Sequence, residues 1–269
     1  MTLRDEIIDK LIKAKIPSPR LEADIILKNA APNYPEITIA EKEKVFAMLN
    51  RRVDHEPLDK IIGYKEFYKY TFKVNQNVLS PRPDTEILVE NALELIPVDK
   101  AYKMIDFGTG SGCILLSILK ERPLMQGIGV DISAKALSIT GENAKSLGVE
   151  NQVQFINSDW NELSLQPESF DVITSNPPYI ESKEIQTLEK EVKDFDPMIA
   201  LDGGEDGLTC YRDIAEISEN ILKNDGLILL EVGYNQAKAV ADIFIKKGFK
   251  LLKIAKDLAN IERCIILKK

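Results

Sequence analysis

An apolar strand, Tyr102-Lys103-Met104-Ile105-Asp106-Phe107, opens directly into the glycine run Gly108-Thr109-Gly110-Ser111-Gly112, and Cys113-Ile114-Leu115-Leu116-Ser117-Ile118-Leu119 then has helical character. Strand, glycine turn and helix in that order begin a parallel β/α unit and bring backbone close to a nucleotide-like ligand at the strand's carboxyl end. The glycines admit φ > 0 and leave no Cβ between chain and ligand. A dinucleotide fingerprint would need glycines at 108, 110 and 113, but position 113 is Cys. The turn therefore resembles a pyrophosphate loop without matching one. A tight Gly-x-Gly-x-Gly turn behind an acidic residue, here Asp106, suits a ligand with a positive aminoacyl end. A glycine-rich turn holding nothing is the alternative.

The next three strand ends carry further polar groups. Gly127-Ile128-Gly129-Val130 ends in Asp131, whose carboxylate can accept from both hydroxyls of a ribose, and no Arg stands beside it to receive a 2′-phosphate. Ser133 is the expected cap of a helix running to about Leu147 and stopping at Gly148. Val153-Gln154-Phe155-Ile156-Asn157 leads to Ser158-Asp159-Trp160. Asp159 can accept from an adenine amino group or cap a helix; Trp160, the only Trp, can cover a base or fill core.

Finally, Phe170-Asp171-Val172-Ile173-Thr174-Ser175 runs into Asn176-Pro177-Pro178-Tyr179. Neither proline has an N–H for a strand ladder, and the first pushes Asn176 toward extended backbone. A stiff corner results, holding a side-chain amide, a backbone carbonyl and an aromatic ring. It suits a planar NH2 group, either a carboxamide or the exocyclic amine of a base, although a proline turn with a capping Asn would read the same. In an open parallel sheet ligands bind beyond these carboxyl ends.

The chain has 269 residues, enough for two domains. Residues 2–15, 19–30 and 39–54 read as amphipathic helices separated by proline breaks. Glu66 to Val74 suggests part of a linking hairpin. The expected division is a small helical domain with that hairpin over residues 1–75, followed by an α/β domain over 76–269. A helix from Asp84 to Ile96 leads into the second domain, whose last strands, near 226–232, 249–254 and 263–267, end in an antiparallel hairpin. The stretch from Ile180 to Gly207 is long for a loop and follows the proline corner, so it is expected to shape an acceptor groove.

Net charge is −8, distributed as +2 over residues 1–75 (14 Lys and Arg against 12 Asp and Glu) and −10 over the rest. A broad nucleic-acid groove would show clustered Lys and Arg, so a protein partner fits better. Three isolated cysteines and a single His, His55, favour neither a disulfide framework nor a zinc site nor a His-based triad. No run of 18 apolar residues occurs, and Met1-Thr2-Leu3-Arg4-Asp5-Glu6 does not read as a signal peptide, so a cytoplasmic protein without membrane partners is expected.

Asp106 to Gly112, Asp131, Asp159-Trp160 and Asn176 to Tyr179 resemble the motifs of class I methyltransferases that modify nitrogen. The segments Ser18 to Asp24, Glu56-Pro57, Ile61 to Phe67, Leu79-Ser80-Pro81-Arg82-Pro83-Asp84-Thr85-Glu86 and Ala200 to Leu208 extend the similarity in order along nearly the whole chain. Together they resemble the bacterial peptide chain release factor glutamine methyltransferases, the PrmC/HemK family. His55, Lys69 and Asp196-Pro197 depart from that family's usual residues, in the helical region and the long loop.

The resemblance implies a Rossmann-like α/β fold with a seven-stranded, mostly parallel sheet and a small N-terminal helical domain. It implies S-adenosyl-L-methionine as methyl donor, S-adenosyl-L-homocysteine as product, and the glutamine of the Gly-Gly-Gln motif of release factors as acceptor. Asp106, Gly108, Thr109, Gly110, Ser111, Gly112, Asp131, Asp159, Trp160 and Asn176 would hold the donor. Asn176, Pro177, Pro178 and Tyr179 would hold the acceptor, with Asn176, Pro177 and Tyr179 acting in the transfer. Two readings compete: an N-methyltransferase acting on an exocyclic amine of DNA or RNA, which presents the same planar NH2 when flipped, and a non-catalytic S-adenosylmethionine-binding module.

Overall fold

The computed structural model describes residues 2–269; Met1, which heads the N-terminal run discussed above, lies outside the described residues. Four helices come first: α1 Leu3–Lys13, α2 Pro19–Ala30, α3 Ile39–Val53 and α4 Leu58–Ile62. Thr2 and Thr38 open α1 and α3 with reciprocal capping boxes to Asp5 and Glu41, which satisfies N–H groups that a helix start leaves unpaired. Ile7, Leu11, Ile26, Val45, Leu49 and Ile61 recur at helical spacing and form a separate apolar cluster. His55 is half-buried just past α3, in the left-handed region at φ 70°.

A hairpin, β1 Tyr64–Phe67 with β2 Tyr70–Lys73, joins this bundle to the rest. The Tyr64 hydroxyl donates to Asn29 of α2 at 3.1 Å, while Phe67 and Phe72 pack into the core of the second region. That region then runs α5 Glu86–Leu95, β3 Lys103–Phe107, α6 Cys113–Glu121, β4 Gln126–Asp131, α7 Ala134–Leu147, β5 Val153–Asn157 and β6 Phe170–Ser175. It continues with α8 Lys190–Lys193, α9 Thr209–Ile221, β7 Leu222–Glu231, α10 Ala237–Lys246, β8 Lys250–Lys256 and β9 Glu262–Lys268. As expected, α7 begins at Ser133, whose side chain accepts from the Ala136 N–H, and ends at Gly148.

Seven strands form one sheet in the order β5-β4-β3-β6-β7-β9-β8, and only β9 runs antiparallel to its neighbours. Its alternating residues feed two cores. Met104, Val172 and Leu229 face the cluster that includes α5 and α6; Ile105, Ile173 and Ile228 face the one that includes α9 and α10. Strands covered on both faces read as continuous apolar runs, as Leu227-Ile228-Leu229-Leu230 of β7 does.

Buried charges tie the helical bundle to the long segment after β6. The Lys60 ammonium donates to Asp196 Oδ1 and to the Phe195 carbonyl, and Arg82 Nη2 reaches Asp196 Oδ2 at 3.0 Å. The Lys60 and Asp196 side chains are 2% and 1% exposed. Arg52 of α3 adds Glu22 at 2.6 Å and Glu191 of α8 at 2.8 Å. Ions withdrawn this far from water are tolerable only while each keeps its partner. Asp196→Ala is therefore expected to lower unfolding free energy by about 3–5 kcal/mol. Asp24→Ala, which removes only the partly exposed Arg4–Asp24 pair, is expected to cost less than about 1 kcal/mol. Urea unfolding of the two variants checks the contrast.

Candidate active site

The parallel ladder sets where the site lies. Phe107 is opposite both Val130 and Ser175, and Asp131 is opposite Asn157, so the residues after β3, β4, β5 and β6 emerge in a row. A cleft of about 340 Å³ opens there. Gly108, Thr109, Gly110 and Ser111 line it from β3, Asp131 from β4, Asp159 and Trp160 from β5, and Asn176 and Pro178 from β6.

The glycine turn is fixed from behind. The Gly108 and Thr109 N–H groups donate to the Val130 carbonyl at 2.9 and 3.0 Å. The Thr140 hydroxyl donates to the Gly110 carbonyl at 2.7 Å, and Asn143 Nδ2 to the Ser111 carbonyl at 2.8 Å. Gly112 does not line the cleft. It starts α6 at φ +81°, and a Cβ there would lie 2.6 Å from the Thr140 methyl, so the turn admits no side chain at this point.

Asp131 takes one backbone N–H on each carboxylate oxygen: Ser133 on Oδ1 and Gly110 on Oδ2, both at 2.9 Å. Each oxygen keeps a second lone pair. Burial pushes this carboxyl's pKa up, against the two N–H groups that favour the anion. Asp159 caps a short turn by accepting from the Asn161 N–H, and still reaches the cleft wall. Trp160 stands edge-on to Phe107 with ring centroids 6.1 Å apart, and its indole Nε1 is buried without a hydrogen-bond partner.

Asp106, Pro177 and Tyr179 are not on the cleft wall. Asp106 points into the sheet's interior, 1% exposed, where the Thr174 hydroxyl donates to it at 2.7 Å. Burial pushes its carboxyl up to about 7, with hydroxyl contact opposing the shift. Pro177 is buried. Tyr179 is pinned through its backbone: Gln236 Nε2 donates to its carbonyl at 2.9 Å, and Gln236 Oε1 accepts from the Gly233 N–H. Gly207, at φ +69°, brings the end of the long loop so close that a Cβ would lie 2.4 Å from the Tyr179 carbonyl. Asn176 Nδ2 is 3.4 Å from the Thr85 hydroxyl.

Several contributors carried no chemical assignment in the sequence. The segment ahead of α5 supplies Leu79, Ser80, Arg82 and Thr85; its Pro-Arg-Pro-Asp-Thr-Glu run was the available signal. Pro197, Ile199, Ala200 and Asp202 of the long loop form another wall, and Asp213 of α9 a further part. Glu231, at the end of β7, is 3% exposed and pushed up to about 7 by burial. Nothing in the run Leu227-Ile228-Leu229-Leu230 beside it signals a site.

Asp106 and Glu231 have folded-state pKa values above their ordinary ones, so the folded protein binds their protons more tightly than the unfolded chain. Their contribution is most favourable below the ordinary carboxylate range and is lost as pH rises toward about 7. The thermal midpoint is expected to fall between pH 5 and 8, by about 2–4 °C for each kcal/mol. Asp106→Asn should remove part of that fall in scanning calorimetry; an undiminished fall would contradict the assignment.

A family model described as a methyltransferase domain matches residues 98–257. The chain is 39% identical to the release factor glutamine methyltransferase of Caulobacter vibrioides, over 96% of this chain and 92% of that protein. It is 42% identical to the release factor glutamine methyltransferase of Thermodesulfovibrio yellowstonii, over 87% of this chain and 84% of the relative. Among solved structures, a methyltransferase from Pyrococcus furiosus aligns with a TM-score of 0.56 at 15% identity, covering 74% of this chain and 88% of that one, which is a likeness of fold.

Proposed function

This chain belongs to the release factor glutamine methyltransferase family, and from that premise we propose that it methylates the N5 nitrogen of the glutamine in the Gly-Gly-Gln motif of peptide chain release factors, with S-adenosyl-L-methionine as donor. The carrying observation is that Asn176 lines the same cleft as the glycine turn and Asp131. An amide acceptor group thus shares one cavity with a nucleoside-type cradle. The release factor is a protein partner, in keeping with the acidity of the larger region, and the reading puts the enzyme in the cytoplasm with its substrate. Among the described residues no helix is long and apolar enough to cross a membrane.

The residues present fit the donor. Asp131 has free lone pairs for ribose hydroxyls, the glycine turn leaves room for backbone approach, and Trp160 lines the cleft where a base would lie. Asp159 is at hand for an adenine amine. Bound there, the donor would supply a sulfonium methyl for transfer to nitrogen, the S–C bond being exchanged for an N–C bond, with the neutral thioether of S-adenosyl-L-homocysteine as leaving group and the amide proton lost to water.

A carboxamide nitrogen is a poor nucleophile because its lone pair is delocalised into the carbonyl. Asn176 Oδ1, on the cleft wall, would accept from one of its hydrogens and the carbonyl of Pro177, whose ring is buried behind that wall, from the other, orienting the nitrogen and favouring pyramidal character in the transition state. Pro178 and Tyr179 keep that corner stiff, Tyr179 from behind the cleft wall, where it packs against the interior. Alignment of donor and acceptor would supply the larger part of the acceleration, up to about 7–11 kcal/mol in favourable cases. The long loop, through Pro197, Ile199 and Ala200, would wall the acceptor groove.

A labelled-methyl assay offering purified release factor, DNA, RNA and no acceptor side by side tests this reading. Label in the release factor glutamine is expected; label in nucleic acid alone would replace it with base methylation, and label in none with a binding module. Asn176→Ala should depress kcat far more than it weakens donor affinity. Asp131→Ala should weaken donor binding by roughly 1.5–3 kcal/mol in calorimetric titration. Equal losses of both quantities in Asn176→Ala would contradict its role.

A further inference from the structure

Glu231 is the residue whose burial the mechanism leaves unexplained. It ends β7, and β7 lies parallel beside β6 with Ser175 opposite Leu230. One step further along both strands brings Glu231 beside Asn176. The carboxylate faces the Thr85 hydroxyl and the Asn176 amide, and its Oε2 is buried with no hydrogen-bond partner. Its own carbonyl accepts from the Tyr211 hydroxyl at 2.8 Å, which holds the strand end in place. An apolar residue would serve the packing of this strand at lower cost than a buried acid.

A side-chain amide offers an acceptor at one end and two donors at the other, and its neighbours decide which end points where. An ionised carboxylate can only accept. Placed behind Asn176, it holds the NH2 end and leaves the carbonyl oxygen for the cleft. A protonated carboxyl is also a donor and can hold Asn176 in the reversed orientation, with NH2 toward the cleft, where it would meet the substrate's own NH2.

We propose that Glu231 is a positioning residue that, when ionised, locks the Asn176 amide with Oδ1 aimed into the cleft. This rests on the glutamine reading given above. Burial pushes the Glu231 carboxyl up to about 7, with the Thr85 hydroxyl and the Arg263 guanidinium opposing and Asp84 reinforcing the shift. Those charges come from the segment before α5 and from β9, where Cys264 lies opposite Glu231; Tyr179, Tyr211 and Cys113 are the titratable groups near it from the proline corner, α9 and the start of α6. The switch therefore falls within the neutral range.

The test uses the full chain and Glu231→Gln, which keeps size and removes the charge. The kcat on release factor is expected to fall by roughly 10- to 100-fold, while KM for S-adenosyl-L-methionine stays within about twofold. Wild-type kcat should rise through pH 7, and the variant should lose that rise. Thermal stability at pH 8 should hold or increase, because a buried charge is gone. A purely structural role would move stability and activity downward together. Unchanged kcat, a loss of kcat that tracks a loss of stability, or an acid limb that persists in the variant would each overturn the proposal. The Asn176 side-chain NH2 resonance, assigned through Asn176→Asp, supplies a readout independent of turnover. It should titrate near pH 7 in the wild type and not in Glu231→Gln, and a resonance that fails to titrate in the wild type overturns the proposal. Titration without methylation of the release factor would sink the glutamine reading and leave the positioning role standing.

Discussion

Hydrogen-bond register between parallel strands is the constraint on which this molecule depends. Once Phe107 is paired with both Val130 and Ser175, every polar residue just beyond those strands is delivered to one rim. No long-range device is needed to assemble the glycine turn, Asp131 and Asn176; they are neighbours because the ladder is in step. A slip of one residue would turn each strand's apolar set to the opposite face, so the two cores enforce the alignment that the site uses. Backbone contacts then stiffen each element: Thr140 and Asn143 of α7 hold the glycine turn, and Gln236 holds Tyr179.

The interior accepts several ionisable groups, and each sits where a particular geometry is wanted. Asp106 lies under the glycine turn, bridged to β6 by Thr174. Glu231 lies behind the proline corner. Both are costly to ionise, and both adjoin residues that line the cleft. Preorganised polar groups near a reaction centre are commonly built at the expense of stability. The pH dependence of stability thus arises from two strand ends, and the one proposed for turnover from Glu231 alone.

Much of this was legible in the sequence. The glycine run, the acid closing β4 and the Asn-Pro-Pro-Tyr corner are short-range signals, because a turn's chemistry is written in its own residues. The helical bundle, the hairpin and the antiparallel end of the sheet were legible for the same reason, from periodicity and breaks. What escaped was the reverse kind of information. Glu231 lies within an apolar run and acquires meaning only from the strand beside it. Asn143 lies mid-helix and acquires meaning from a hairpin 70 residues earlier, whose Lys73 N–H donates to its Oδ1. Asp106 reads as a ligand group in the motif, yet strand alternation points it inward. The wall from residues 197–202 was foreshadowed by the length and position of the loop after the proline corner, and that from residues 79–85 by a motif without an assigned role, but which of their side chains reach the cleft depends on tertiary packing.

The Lys60–Asp196–Arg82 cluster has an evolutionary corollary. Asp196 draws a buried cation from the helical bundle and a half-exposed one from the segment ahead of α5, and the buried Lys60–Asp196 pair must change in concert. The two halves of this chain are consequently poor candidates for independent exchange by recombination. A chimera joining its bundle to a relative's sheet would inherit an orphaned ammonium at the seam unless the matching acid came along, and a single crossover anywhere between Arg82 and Asp196 would separate them.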